Sequence, residues 1–288
     1  MARVLVTGGL GFVGSNLADK LAESGHTVTV IDNLVSESSS RDYMRDDITY
    51  WIDDVRNLNS RYYADEEFEV VYHMAANARI QPSFETPSKY FATDALGTVE
   101  TLEYARNCNA KFIYAGSSTA FAGEMLNPYA FAKRTGERAC ELYHKVYGMS
   151  TVVARFFNVY GPRQPVIGPW ATVIGLFEEL TKKNNPLTVV GDGNQRRDFT
   201  HIDDIIAGLI ALGNSEWEAD IFSLGTGKNH SILEVVEMFK GETVHLPARP
   251  GEARVTLADY SQMKKVTGWT PAKNLTDYIK NSISDIKI

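Results

Sequence analysis

Tyr129 and Lys133 stand four residues apart, with Ala130, Phe131 and Ala132 between them. On a helix that spacing puts both side chains on one face. Tyrosine has a reference pKa near 10 and is a poor base at neutral pH. An ammonium about 6 Å away contributes about 3 kcal/mol at an effective dielectric near 20, about two pK units. That brings the phenol into range for proton exchange with a substrate hydroxyl. Ser118, in the run Gly116-Ser117-Ser118-Thr119 ahead of this helix, supplies a second hydroxyl for the same oxygen. A second Tyr-x-x-x-Lys match, Tyr260 to Lys264, lies far in sequence from any nucleotide pattern and is read as structural.

The N-terminus carries a separate pattern, one that suits a dinucleotide. Thr7-Gly8-Gly9-Leu10-Gly11-Phe12-Val13-Gly14 satisfies both G-x-G-x-x-G and G-x-x-G-x-x-G. Gly8, Gly11 and Gly14 let the backbone turn tightly and approach a pyrophosphate, and Phe12 and Val13 open a helix whose free N–H groups favour an anion. Asp32 ends the next strand. Its carboxylate accepts hydrogen bonds from the adenosine ribose and repels a 2′-phosphate, which favours NAD over NADP. Asn33 beside it, Asp54 and Val55 after a third candidate strand, and Ala75 after a fourth complete the expected cofactor set, with Tyr129 and Lys133 reaching it from the catalytic side.

The elements that must position these residues alternate. Strand-like runs lie at Arg3–Thr7, Thr27–Ile31, Glu69–Met74, Lys111–Ala115 and Thr151–Phe156. Helical spacing occupies Phe12–Ser24, Ser88–Asn107 and Tyr129–Tyr147. The rhythm predicts an α/β fold, a Rossmann doubly wound parallel sheet covered on both faces. After Gly161 a loop rich in proline and glycine leads to a helix at Val173–Lys182, a strand near Leu187–Val190, a helix at Ile202–Leu212 and a strand at Ile221–Leu224. A helix at Ser231–Phe239, a strand near Thr243–Leu246 and a terminal helix follow. The expected division is a cofactor-binding domain of residues 1–164 plus about 197–228. A smaller C-terminal α/β substrate-binding region takes about 165–196 plus 229–288.

The 288 residues carry 29 Lys and Arg against 36 Asp and Glu, a net charge of −7. That balance argues against nucleic acid as a partner, which calls for a dense basic face. Two cysteines, Cys108 and Cys140, fit neither a disulfide framework nor a zinc pattern. No apolar run approaches the roughly 20 residues of a membrane span. With no cleavable leader pattern at Met1 to Val6, the reading is a cytoplasmic protein without metal or membrane partner.

Taken together, TGGLGFVG (7–14), Asp32, HMAA (73–76), GSSTAFAG (116–123), YAFAK (129–133), RFFNVYGPRQ (155–164), GDGNQRRDFTHIDD (191–204), RPGE (249–252) and GWTP (268–271) resemble the extended short-chain dehydrogenase/reductase family, in its nucleotide-sugar 4-epimerase branch. The resemblance runs nearly end to end. It implies a catalytic triad of Ser118, Tyr129 and Lys133, with NAD as tightly held cofactor. It implies that Asn158, Arg197 and Arg249 hold a nucleotide diphosphate and Glu252 lies near the substrate ribose, with Ser83, Leu187 and Val189 completing the substrate contacts. Of the adjacent Arg196 and Arg197, one must point away, and the motif favours Arg197 as the binder. His73 and His201 fall on architectural positions. The implied reaction on a UDP-sugar is oxidation at C4, rotation of the keto sugar and re-reduction, an isomerase activity. A homodimer through the helices near Ser88–Asn107 and Tyr129–Tyr147 is also implied.

The sequence departs from the pattern in places. Only Glu124 to Pro128 separate Gly123 from Tyr129, so a flap is missing and the site is either more open or covered by something else. Asp94 stands where asparagine is common. Thr119 and Ala120 follow Ser118, so an elimination lacks its expected acid. Thr256 is small where a bulky residue restricts some 4-epimerases to unacetylated sugars. The competing readings are a nucleotide-sugar dehydratase, decarboxylase or reductase of the same family, and a non-catalytic NAD-binding protein.

Overall fold

A computed structural model of the chain describes residues 1–288 apart from 37–38, 64–65, 120–122 and 287–288. Ala120, one of the two residues behind the missing-acid argument, therefore lies outside the described residues. Strands β1 (Arg3–Thr7), β2 (Thr27–Ile31), β3 (Thr49–Trp51), β4 (Val70–His73), β5 (Lys111–Ser117) and β6 (Thr151–Phe156) join Asp220–Leu224 in one seven-stranded sheet. Its order is Asp220–Leu224, β6, β5, β4, β1, β2, β3, and every pairing is parallel. This is the Rossmann-like fold the alternation predicts. Chain order reverses between β1 and β4, so a crevice opens at their carboxyl ends, where such sheets bind ligands. Register makes it sharp: Thr7 pairs with Ile31 on one side and His73 on the other, so Gly8, Asp32 and Met74 leave the sheet at one level.

Both faces of the sheet are covered, so its strands are apolar on successive residues. Val4 and Val6 pack with Leu17 and Leu21 of α1 (Phe12–Glu23) and with Ile205 and Leu209. Leu5, between them, packs on the other face with Val71, Leu102 and Phe112. A third cluster, built from Phe177, Leu187, Val189, Val235, Phe239 and Ile279, belongs to the segments after Gly161. There Leu187–Val190 pairs with Thr243–Leu246 in a separate parallel ladder. Two more short ladders, Val159–Tyr160 with Thr200–His201 and Arg196–Arg197 with His230–Ser231, were not expected from sequence. They are two residues long, below the reach of any periodicity argument.

The stretch expected near Ser88–Asn107 is helical throughout, without a break. It runs through Pro87–Tyr90, a π-helical turn at Phe91–Leu96 and Gly97–Asn107. A π turn holds an extra residue and re-aims its side chains; Asp94 is fully buried within it. A further helix, Ile80–Glu85, precedes them. Pro82 sits in its first turn, where proline is tolerated. The helix Ser261–Thr267 was also unanticipated. Among the described residues, no helix is long and apolar enough to cross a membrane.

Candidate active site

The crevice is a cavity of about 440 Å³. Gly8, Gly11, Phe12, Val13 and Gly14 form one end, with Asp32, Asn33, Val55 and Ala75 beside them. Gly8 has φ +65°, and a Cβ on it would sit 2.8 Å from the backbone of Ala75; one on Gly14 would sit 2.1 Å from the Gly8 carbonyl oxygen. Only glycine permits this cradle. The Asp32 carboxylate organises it: Leu10 N–H donates to Oδ2 at 3.0 Å and Leu34 N–H to Oδ1 at 2.8 Å. The free N-terminal turn of α1, glycines where a side chain would block approach, and a carboxylate at the end of β2 together fit a dinucleotide. Asp54 does not line the cavity. Its carboxylate accepts from Asn33 Nδ2 at 2.9 Å and pairs with Arg56, which holds its pKa down at about 2. Its neighbours Asp53 and Val55 line the wall instead.

Tyr129 enters from helix Pro128–Tyr147. Asn127 caps this helix by accepting from Ala130 N–H at 2.8 Å, and Pro128 occupies the first turn, where its missing N–H costs nothing. Tyr129, Gly116, Ser117, Ser118 and Thr119 share the cavity wall. Of the two serines, Ser117 is the one whose hydroxyl pulls the Tyr129 phenol down. Ser118, the expected member of the triad, lines the same wall, and sequence reasoning did not single out Ser117 because a strand end offers no signal for which serine turns inward. Lys133 is 3% exposed, and its Nζ lies 4.4 Å from the centre of the Tyr114 ring.

The electrostatics around the pair involve more groups than a lysine beside a tyrosine. Burial pushes the Tyr129 phenol up; Ser117 and the charge of Arg79 pull it back, and Asp94 pushes it up again. Burial pushes Lys133 down, and Asp94 is the first charge that holds it up. The Asp94 carboxyl is raised to about 7 by burial, against the pull of Lys133 and a hydrogen bond from Asn77 N–H at 2.7 Å. Its Oδ2 is buried without a partner among the described residues. The ammonium is thus answered by Asp94, and Arg79 adds a positive charge that acts on Tyr129.

At the other end stand Asn158, Phe199, Arg197, Glu252 and Thr256. Asn158, at φ +32°, donates Nδ2–H to the Asp198 carbonyl at 3.1 Å and to Thr256 Oγ1 at 3.2 Å. Arg197 approaches Glu252 at 3.4 Å. Arg196 turns the other way onto Glu234, at 2.9 Å. Four expected substrate contacts do not line the cavity. Ser83 is fully buried and donates to the Ile80 carbonyl at 2.6 Å. Leu187 and Val189 occupy alternate positions on their strand and both point into the third core cluster. Arg249 is exposed, because its loop is held through Pro250 and Gly251: Gln81 Nε2 donates to Pro250 O at 3.0 Å and Asn127 Nδ2 to Gly251 O at 2.9 Å. The short Glu124–Pro128 segment lies against this loop, with Leu126 and Phe84 both touching the space around Gly251. His73 is buried between Thr7 and Thr98 hydroxyls at 2.8 and 3.0 Å, and His201 accepts Asp203 N–H at 3.1 Å as a helix cap.

A model of the NAD dependent epimerase/dehydratase family matches residues 4–225. The chain belongs to that family. NAD is the family's cofactor, and the glycine cradle and Asp32 are the residues that would hold it. Family relatives match along nearly the whole chain. A UDP-glucuronate 4-epimerase of Thermodesulfobacterium geofontis is 31% identical, covering 99% of this chain and 96% of its own. A UDP-glucuronic acid decarboxylase 1 of Xenopus tropicalis is 29% identical over 98% of this chain and 71% of its own. The crystal structure of UDP-glucose 4-epimerase from Thermotoga maritima with UDP-glucose superimposes with a TM-score of 0.93 at 28% identity, covering 99% and 98% of the two chains. The family therefore spans UDP-sugar epimerases and decarboxylases.

Proposed function

We propose that the protein is an NAD-dependent 4-epimerase of a UDP-sugar. The observation that carries this reading is that Tyr129, Ser117 and Ser118 open on the same cavity as the glycine cradle, with Arg197 and Glu252 at its far wall. NAD, when bound, supplies a hydride acceptor and donor at the sugar C4. Tyr129 exchanges the proton of the C4 hydroxyl, and Ser117 and Ser118 hold that oxygen. Lys133 and Asp94 keep the charge behind the phenol balanced. Arg197 and Asn158 anchor the nucleotide diphosphate, so the sugar turns while its handle stays fixed. The position after Ser118 and Thr119 is alanine in the sequence, which leaves an elimination without its acid.

The same proposal assigns residues 1–164 plus about 197–228 to the cofactor and the remainder to the sugar nucleotide. It places the protein in the cytoplasm as a homodimer. Exposed Phe91, Leu96, Phe131, Leu142, Val146 and Tyr147 on the paired helices support the dimer. The test is to incubate the purified protein with UDP-glucose, UDP-galactose and their N-acetyl and uronic acid counterparts and follow products by proton NMR. Interconversion at constant mass, absent in Tyr129→Phe, is the expected result. A product of lower mass makes the protein a dehydratase or decarboxylase, and bound NAD without turnover makes it a binding protein. Light scattering at micromolar concentration decides the dimer.

A further inference from the structure

Most arginines of this chain have a carboxylate. Among the described residues, Arg41, Arg61, Arg79 and Arg249 form no ion pair, while the others reach Asp or Glu within 4 Å. Arg41, Arg61 and Arg249 are exposed, where water solvates the charge. Arg79 is different, because it lines the cavity. Its Nε donates to the Trp170 carbonyl at 2.7 Å, which aims the guanidinium plane. The groups acting on its charge are the phenols of Tyr129 and Tyr90, and burial pulls its pKa down. A half-buried cation turned into a cavity without a counter-ion is costly and is retained where a ligand supplies the anion.

The position of Arg79 identifies which anion. The charges acting on Arg197 are Glu252 and Arg254, at the opposite wall. Arg79 instead acts on Tyr129, the group that serves the sugar C4. In a hexose, C6 is attached to C5, the immediate neighbour of C4. A group close to Tyr129 is therefore close to the C6 substituent. A planar guanidinium fork matches a carboxylate at two points and has little to offer a primary alcohol.

We propose that Arg79 is a specificity-determining residue that recognises the C6 carboxylate of a hexuronic acid, so that the preferred substrate is a UDP-uronic acid. This rests on the reading of the site as one for a nucleotide sugar. Sequence reasoning passed over Arg79. The available signal was a cation in the loop after β4, at the carboxyl end of the strand where the sheet order reverses.

The experiment measures initial rates with UDP-glucuronate and UDP-glucose for the NAD-loaded wild type, Arg79→Gln and Arg79→Lys. The ratio of KM for UDP-glucuronate to KM for UDP-glucose rises about ten- to hundredfold in Arg79→Gln, the range for loss of a charge-assisted contact. Arg79→Lys, which keeps the charge and loses the fork, restores part of it. A ratio within about threefold of wild type overturns the proposal, whether because Arg79 reads the shared diphosphate or because it acts on kcat through Tyr129. Calorimetric binding of UDP, UDP-glucose and UDP-glucuronate separates this from failure of the epimerase reading. Tighter binding of the uronate that disappears in Arg79→Gln upholds Arg79 even if nothing is epimerised. Epimerisation with equal affinity for both sugars removes Arg79 and leaves the epimerase standing.

Discussion

The two ends of the cavity are built in different ways. The cofactor end is backbone: glycines 8, 11 and 14, strand ends in one register, and a carboxylate that two N–H groups hold in place. The end proposed for the sugar nucleotide is side chains on loops and two-residue ladders, with Asn158, Arg197 and Glu252 on three different segments. A wall made of backbone tolerates few substitutions and serves one ligand. A wall made of side chains on short ladders can be re-cut by single changes, and on the proposed reading substrate choice resides here.

Variants sharpen that contrast, beginning with the residue that stands between the ends. Tyr129→Phe should lower kcat about a thousandfold, with bound NAD retained in the purified protein by its absorbance. A comparable kcat with the phenyl ring would remove the tyrosine from proton exchange. At the sugar end, Arg197→Ala should raise KM for the UDP-sugar about thirtyfold, and Arg249→Ala less than about threefold. Equal losses would show that the Arg249 loop closes onto the ligand, so steady-state kinetics of the pair tests the geometry of the outer wall. Ser117→Ala should lower kcat about tenfold and shift the rising, acid-side limb of its pH profile upward, since the hydroxyl pulls the phenol pKa down. If Ser118→Ala does this and Ser117→Ala does not, the hydroxyl assignment is reversed.

Asp94 gives a smaller effect, read as stability. Its carboxyl titrates at about 7 in the folded chain, above the ordinary 3.8, because burial disfavours the charge. Stability on its account is complete below about pH 4 and is lost as pH rises through about 7. Asp94→Asn removes that loss, so the gain in Tm should be larger at pH 8 than at pH 5, by about 4 °C. A pH-independent gain would mean that Lys133 already compensates the carboxylate. Last and smallest, Asp54→Asn should change NAD affinity less than about threefold in a titration, because the carboxylate is spent on Arg56 and Asn33. A tenfold loss would return Asp54 to the cofactor wall.

What could be read from sequence follows the same division. The bounds of β1, β2 and β6 and the glycine cradle were legible because each is local: an apolar run, a turn that only glycine makes, a helix after it. Asp32 was legible because strand length fixes its distance from the turn. Arg79 and Ser117 were not, because their roles depend on where Tyr129 lies, across a parallel sheet whose contacts are long-range. Leu187 and Val189 were misplaced for a related reason. An alternating strand shows that one face is buried, and only the packing of Phe177 and Phe239 shows which. Asp94 announced itself only as an unusual residue; the π turn that buries it leaves no pattern in the sequence.

The loop at Pro250 and Gly251 is pinned to the rest of the molecule by two amide side chains, Gln81 and Asn127. Neutral hydrogen bonds of this kind are worth about 1 kcal/mol each, because water replaces them readily. Releasing both costs about 2 kcal/mol, which leaves the loop free in about 3% of molecules at any moment. Glu252 and the cavity wall begin one residue further on. The segment that carries Glu252 is therefore held by bonds that break and re-form readily, whereas the glycine cradle at the other end is fixed by backbone contacts that no side chain can loosen.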